Sequence, residues 1–402
     1  MKEILAASTA LGFDILSHGA ETYRVEESIT RMCAAYGYQN ADVFVIPSSI
    51  VVTITDDTGA YLTRTRRILS RDTDLDKVDK LNALCRQICA ETPEYEEIVA
   101  RLKKIEEGPV YSMPMQYFGF GMISAFFTLF YGGVFMDAVT AFVLGVLLKV
   151  TIYQLGKLEA SSFFVNIVGG AFTACGCYLA VKAGLAFNQD KMVIGMLMNL
   201  VPGIALTNAM REIMAGDLIS GLNRTAEAIL VATAIALGTV LPLVIGQVYN
   251  DGMQTASAWE ACVWAGLACV GFGSVFNIQG WGIWICGFGA ALGWMAYLEA
   301  LALTGTDIGA AFLAAMVISA FSEVMARLRR CPVTGYLQVA LLPLVPGAGI
   351  YDTMRYCVAG ETDLFLSTLL HTIGFAAALS VGAMLAATIT RSLLMRLRVH
   401  RR

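Results

Sequence analysis

From about residue 115 to about residue 390 the chain alternates long apolar runs with short polar interruptions. The runs fall near 115–135, 137–155, 162–182, 191–209, 224–249, 258–278, 280–299, 306–326, 334–353 and 364–390. Each approaches the ~20 residues that a bilayer core of about 30 Å requires. Ahead of residue 115 the pattern is different. Val25, Ile29, Met32 and Tyr36 recur on one helical face, which Gly37 can end. The run VFVIPSSIVVTITD is strand-rich, with Ile50, Val52 and Ile54 alternating against Val51, Thr53 and Thr55. DDTG at Asp56–Gly59 reads as a hairpin turn and AYLTRTRRIL as the returning strand. DLDKVDKLNALCRQICAET and PEYEEIVARLKKIEEG read as charged amphipathic helices, and Gly108-Pro109 with Pro114 marks a boundary.

Composition sharpens this division. Of 402 residues, 57% are hydrophobic and 15% charged, against roughly a quarter charged in soluble proteins. The expected fold is therefore an α-helical polytopic membrane protein of about ten spans with an N-terminal cytosolic α/β domain. Its expected parts are residues 1–112, a first five-span unit at 113–250 and a second at 251–402 with a basic tail. The net charge of −4 averages two unlike regions and identifies no partner, nucleic acid included. Acids and a histidine interrupt the N-terminal stretch where a signal peptide needs an apolar core, so the first domain is expected in the cytosol. Ten cysteines form no CxxC pair or His-Cys cluster, so they read as reduced and structural, with no metal or cofactor expected.

Two of the apolar runs are broken in the same way. LVPGIALTNAMREIMAGD starts at Leu200, and LVPGAGIYDTMRYCVAGE starts at Leu344, 144 residues later. Eight of the 18 positions are identical, and the same shift lays the first five runs almost on the second five. Five is odd, so two such units enter a membrane in opposite directions, an inverted 5+5 repeat. With the N-terminus inside, Lys157, Arg211, Arg224, Arg327, Arg329, Arg330 and the tail RSLLMRLRVHRR fall on the cytoplasmic side. Only Lys182, Lys191 and Arg355 fall outside, a positive-inside bias that places both termini in the cytosol.

A proline inside a helix removes a hydrogen bond and clashes with the preceding turn, at about 3 kcal/mol. In lipid, irregular backbone survives only against protein or a wet cavity. Pro202-Gly203 and Pro346-Gly347 lie near the middle of the fourth and ninth runs. Interruptions at matching positions of two inverted halves point to a transporter's midplane binding site. The freed helix ends offer N–H groups to a carboxylate. Candidate substrate residues are Asn199, Thr207, Asn208 and Arg211 in the first copy, and Tyr351, Asp352 and Arg355 in the second. Arginine suits a carboxylate because its fork bonds bidentately. Asp352, matched by Asn208 under the shift, is a candidate proton carrier, with Glu323 as a second.

Plainer readings stand beside these. The Pro-Gly pairs can serve helix packing alone, and Arg211 and Arg355 can end their spans among headgroups. Glu323 lies four residues before Arg327 and reads as an ion pair. Asp307 reads as an N-cap and Lys149 as a snorkelling lysine. Glu299, Glu260 and Asp137 sit at span ends, His371 near the end of the last span, and Trp259 and Trp281 read as interface anchors. His18, Glu21 and Arg24 at helical spacing, with Ser48-Ser49, invite a hydrolase reading, but no GxSxG elbow, Walker loop or metal spacing supports it. They read as one solvated or domain-contacting face. Arg64 and Arg66 share a strand face that could be solvated or meet the membrane part or anionic lipid. A passive channel also stays open.

The segments GAETYRVEESITRMCAAYG, VIPSSIVVTITD and RTRRILSRDTDLDKVDKLNALC resemble the N-terminal domain of the threonine/serine exporter family. The tandem LVPG…MR…AG spans resemble the membrane part of the same family, so the resemblance covers essentially the whole chain. It implies efflux of small hydrophilic amino or carboxylic acids across a bacterial-type cytoplasmic membrane, driven by proton antiport. In relatives the second unit can be a separate protein, and one such pair is associated with succinate export. A dicarboxylate is thus the alternative substrate, and a homo-oligomer is compatible with the sequence.

Overall fold

The computed structural model describes residues 1–56, 58–246, 258–329 and 331–399. Asp57 of the expected turn, the junction near residue 250, Arg330 and the last three residues lie outside the described residues. The N-terminal part contains α1 (Lys2–Ser17), α2 (Thr22–Ala35), β1 (Ala41–Ile46), β2 (Ser49–Thr55), β3 (Tyr61–Arg67), α3 (Leu75–Glu91) and α4 (Tyr95–Glu106). The strands form an antiparallel meander in the order β1-β2-β3. Where the sequence reading saw one strand-rich run before the DDTG turn, the structure has two strands joined at Pro47-Ser48. Proline has no N–H to give a ladder, so the chain turns there.

Alternation sets the faces of β2. Ile50, Val52 and Ile54 are fully buried, with α1 packed on β2 and α2 on β1. The other face is open, and there the Thr53 and Thr63 hydroxyls meet at 2.9 Å. One solvated face is common in an antiparallel sheet. Gly12 lets α1 approach α2, since a Cβ there would lie 2.4 Å from Ile29 Cδ1. Leu11, Ile15, Ile29, Met32, Leu81 and Ile98 belong to a core separate from that of the remaining chain.

The expected helical face of His18, Glu21 and Arg24 does not exist. His18 caps the end of α1, Gly19 turns the chain at φ 97°, and Glu21 precedes α2. Glycine is needed there because a left-handed φ is strained for other residues. His18 Nε2 then faces Glu106 at 3.6 Å, while Glu21 and Arg24 pair at 2.9 Å. Arg66 stacks over the Phe13 ring at 3.5 Å, so it belongs to the N-terminal core edge.

The rest is helical: α5 (Met113–Phe130), α6 (Phe135–Lys157), α7 (Ser162–Lys182), α8 (Gln189–Leu197), α9 (Gly203–Ala215) and α10 (Leu218–Gly246). After the undescribed junction come α11 (Ala258–Val275), α12 (Gly282–Thr304), α13 (Asp307–Arg329), α14 (Val333–Leu341), α15 (Gly347–Ala359) and α16 (Thr362–Val399). Among the described residues seven helices are long and apolar enough to cross a bilayer: α6, α7, α10, α11, α12, α13 and α16. The fourth and ninth expected spans are not single helices. They are the pairs α8–α9 and α14–α15, of 9 and 13 residues each. Such halves are only ~14 and ~20 Å long, so neither crosses alone.

Shape and packing repeat between the two helical halves. Shifting α8, α9 and the start of α10 by 144 residues gives the bounds of α14, α15 and the start of α16. Gly238 brings α10 against the Ile167 carbonyl of α7, and Gly382 brings α16 against the Phe312 carbonyl of α13. Close approach through small residues replaces the hydrophobic driving force that lipid cannot supply. The interrupted pairs cross over between halves: α9 packs on α16, and α15 packs on α10.

Several charged residues sit elsewhere than their sequence positions imply. Asp137, in the first turn of α6, is enclosed by protein rather than solvated. It is fully buried and accepts the amides of Val134, Phe187 and Asn188, pinning the α5–α6 and α7–α8 loops together. A carboxylate receiving several amide donors replaces its lost water with fixed hydrogen bonds. Asp307 is the first residue of α13 rather than its cap, and it faces His371 at 3.7 Å. Lys191 and Arg355, expected on the external side, lie within helices, α8 and α15. Lys149 covers the Phe120 ring at 4.7 Å, Trp259 and Trp281 are exposed, and the ten cysteines are free thiols.

Candidate functional site

Both interruptions are complete breaks, not bends. The Leu197 carbonyl accepts Leu200 N–H at 2.8 Å and Val201 N–H at 2.9 Å, which closes α8. The Leu341 carbonyl accepts Leu344 and Val345 N–H groups at 2.9 and 3.0 Å, which closes α14. Pro202 and Pro346 follow with φ −80° and −74°, values proline holds without strain, and α9 and α15 begin at the next residue. The first turn of each new helix leaves N–H groups without an intrahelical acceptor, and the dipole makes that end positive.

The two breaks touch. A Cβ on Gly347 would lie 3.1 Å from Val201 Cγ1 and 3.3 Å from Met198 Sδ, so glycine allows the second break to seat on the first. The Tyr131 hydroxyl reaches Met198 Sδ at 3.7 Å from α5. Asn199 donates to Ser124 Oγ at 2.9 Å and to the Met196 carbonyl at 3.2 Å, leaving its own side-chain oxygen buried without a hydrogen bond. A buried acceptor without a donor is costly and is a natural contact for a ligand or water.

Beside the first break lies a cavity of about 320 Å³, within the size range of small-molecule sites. Three expected residues line it: Asn199, Pro202 and Asn208. Gln338 enters from α14, and Arg224 and Glu227 from α10. Arg71, Asp72 and Thr73 close its other side from the connector between β3 and α3. The sequence reading missed these N-terminal contributors. They lie more than a hundred residues from the LVPG motif, and no local pattern links them to it.

Arg211 is turned toward the N-terminal part. It is nearly buried and lies 3.8 Å from Glu21 of the N-terminal part. Glu212, 1% exposed, accepts Arg224 Nε at 2.9 Å and the Thr22 hydroxyl at 3.4 Å. Arg224 also donates to the Ala20 carbonyl at 3.4 Å. Burial alone would lower the basicity of Arg24, and the Glu21 carboxylate more than offsets it, so the group is raised. A second cavity, of about 260 Å³, brings Glu21, Arg24, Arg211 and Glu323 to one interface. Glu323 is buried and pairs with Arg327 at 3.7 Å.

The N-terminal part is also tied to the second half. Asn277, at φ 56°, donates its amide to both Asp74 oxygens at 2.9 and 3.0 Å. Asparagine is among the few residues that tolerate this conformation. The Leu75 amide donates to the Phe276 carbonyl at 3.0 Å, and Tyr111 N–H to the Asn277 side chain at 3.1 Å. Glu212 and Asn277 were not singled out from the sequence. Glu212 carried a weak signal, an acid beside Arg211 inside an apolar run.

The second copy is arranged differently. Asp352 and Arg355 lie 3.4 Å apart on α15, and Arg355 stacks on Tyr356 at 4.8 Å. Asp352 Oδ1 and Arg355 Nε are buried without a hydrogen bond. Tyr351 is buried among residues of α6, α7 and α8, and Thr207 is buried with its carbonyl accepting the Ser380 hydroxyl at 3.1 Å. The structure thus joins Asn199, Pro202 and Asn208 in one cavity. It sends Arg211 to the N-terminal interface and keeps Asp352 and Arg355 together on α15.

The threonine/serine exporter family model matches residues 7–246. The chain belongs to that family. A second model, described as Threonine/Serine exporter, ThrE, matches residues 261–389. The chain is 22% identical to the threonine/serine exporter of Corynebacterium glutamicum, over 97% of this chain and 83% of that protein. It is 22% identical to the "Probable threonine/serine exporter" of Mycobacterium tuberculosis, over 96% of this chain and 76% of that protein. It is 27% identical to the "Probable succinate transporter subunit YjjP" of Klebsiella aerogenes, over 57% of this chain and 88% of that protein. No solved structure matches the chain.

Proposed function

We propose that this protein exports small hydrophilic amino acids of the threonine/serine type as a secondary transporter of the bacterial inner membrane. The observation that carries the reading is the meeting of two Pro-Gly helix breaks beside a cavity lined by Asn199 and Asn208. Breaks of this kind expose backbone donors at membrane depth to a substrate carboxylate. In this reading α8–α9 and α14–α15 each form one span, so that ten spans divide into two inverted units of five. The residue-for-residue match of their bounds and the crossed packing of α9 on α16 and α15 on α10 support that symmetry.

The topology follows. The start of α10 just after α9, and the loops after α11 and α13, lie against the N-terminal part or its shared cavities. These are the ends of every second span, as expected when the N-terminal part and both termini are cytosolic. The N-terminal part serves transport in this reading, not hydrolysis: the groups that invite a hydrolase reading do not share one helix, and Glu21 and Arg24 are engaged at the interface with the rest of the chain. Asn199, Thr207, Asn208, Tyr351 and the two Pro-Gly pairs form the midplane site, and Arg211 and Arg355 flank it on opposite sides. Asp352 carries the coupled proton, with Glu323 as the second candidate.

Efflux from preloaded vesicles, across a panel of amino acids and dicarboxylates with and without a proton gradient, tests the reading. Threonine and serine efflux stimulated by the gradient is expected, and gradient-independent leakage of the whole panel would mark a passive channel. Asp352→Asn is expected to keep substrate exchange and lose most of the gradient stimulation. Full stimulation in that variant would remove Asp352 from the coupling role. Succinate export is the second reading, supported by the likeness to the succinate transporter subunit over 57% of the chain. Efflux of succinate in preference to threonine would establish it.

A further inference from the structure

The mouth of the 320 Å³ cavity carries both signs of charge: Arg71 and Asp72 from the β3–α3 connector, Arg224 and Glu227 from α10. Two of the four have other partners, Arg224 distant ones and Asp72 only its chain neighbour. Arg224 bonds Glu212 and Ala20, and Asp72 accepts the Thr73 amide at 2.7 Å. The remaining two bond each other: Arg71 Nη2 donates to Glu227 Oε2 across the gap between the connector and α10. The Arg71 side chain is 23% exposed and that of Glu227 55%, against 11% for Arg224. An exposed ion pair is held weakly, because water competes for both partners.

We propose that Arg71 and Glu227 are the loading seat of the transporter, an inference that rests on the amino-acid export reading. A zwitterion reaching the mouth replaces one ion pair by two. Its carboxylate accepts two parallel hydrogen bonds from the Arg71 guanidinium fork, and its ammonium donates to the Glu227 carboxylate. Separation of the pair releases the connector from α10 and opens the way to Asn199 and Pro202 at the break. A dicarboxylate satisfies Arg71 but sets its second carboxylate against Glu227 and Asp72. The seat therefore selects a substrate with one charge of each sign, and the N-terminal part supplies half of it.

The test is initial efflux of threonine and of succinate at varied internal concentration, from vesicles carrying the full-length protein. Wild type is compared with Glu227→Gln, Arg71→Gln and the charge-swapped Arg71→Glu/Glu227→Arg. Glu227→Gln is expected to raise the threonine KM about tenfold with kcat changed less than about twofold, as for loss of one charge-assisted contact. It is also expected to raise succinate efflux relative to threonine. Arg71→Gln raises the KM for both substrates. The charge swap restores the unfolding temperature of the single variants. An unchanged KM in Glu227→Gln overturns the seat and leaves the pair a structural latch. The threonine-induced rise in unfolding temperature reads binding without turnover, and its persistence in Glu227→Gln also overturns the seat. If the wild type moves neither threonine nor serine, the export reading falls and the seat falls with it.

Discussion

α9 and α15 are both 13 residues long, both follow a proline cap, and both end at a left-handed glycine, Gly216 and Gly360. Their polar groups nevertheless bond in different directions. On α9, Arg211 and Glu212 reach out to Glu21, Thr22 and Arg224 and hold the N-terminal part in place. On α15, Asp352 and Arg355 face each other, and the position equivalent to Glu212 is Tyr356. Backbone geometry is set by the local Pro-Gly chemistry and so repeats. Charge pairing is set by what lies opposite: Glu21 and Arg224 for the charges of α9, and Asp352 and the Tyr356 ring for Arg355 of α15.

The largest expected effect tests that inequality. Glu212→Ala strips Arg224 of its buried carboxylate, and breaking a buried pair from one side costs about 3–5 kcal/mol. Tyr356→Ala, the matched change on α15, removes a stacking contact with Arg355 worth about 0.5–1 kcal/mol. Thermal unfolding and protease sensitivity of the N-terminal part measure both. Equal effects would mean that the two copies are not used differently after all.

Gly347→Val asks instead what the copies share. A side chain there enters the contact with Val201 and Met198, and overpacking of this kind costs about 1–3 kcal/mol. Efflux is expected to fall roughly tenfold or more, since a barrier rise of only ~1.4 kcal/mol suffices. Wild-type efflux from this variant would show that the junction of the breaks is not on the transport path.

The smallest effect lies in the N-terminal part alone. Burial, with the Glu106 charge second, raises the Asp14 carboxyl from 3.8 to about 6. The folded protein therefore binds this proton more tightly than the unfolded chain. The charged carboxylate weakens folding above about pH 6, and the penalty fades as pH falls towards 3.8. Asp14→Asn is expected to raise the unfolding temperature slightly at pH 7.5, with a smaller gain at pH 5. A gain that grows with acidity would reverse the sign and refute the assignment.

Local periodicity made most elements legible. Ile50, Val52 and Ile54 gave the buried face of β2, and Val25, Ile29 and Met32 the buried face of α2, because alternation and helical spacing report burial directly. The Pro202 and Pro346 breaks were legible because proline's missing N–H acts within one turn. His18, Glu21 and Arg24 misled because helical spacing counts only while the helix continues, and Gly19 ends it. Asp137 misled because a carboxylate at a span end looks solvated until the loops it staples are seen.

The sequence by itself determined α2, α3, α4 and the hairpin of β2 and β3, the apolar helices, the two matched interruptions and the family. Each follows from residue type acting on its own backbone or from a pattern within one segment. Only the tertiary structure decided that the breaks touch at Gly347, that Arg211 belongs to Glu21, and that Arg71 reaches Glu227 across the mouth of the cavity. Those partners lie more than a hundred residues apart in the chain, and a charge chooses its partner by proximity after folding, which no single segment encodes.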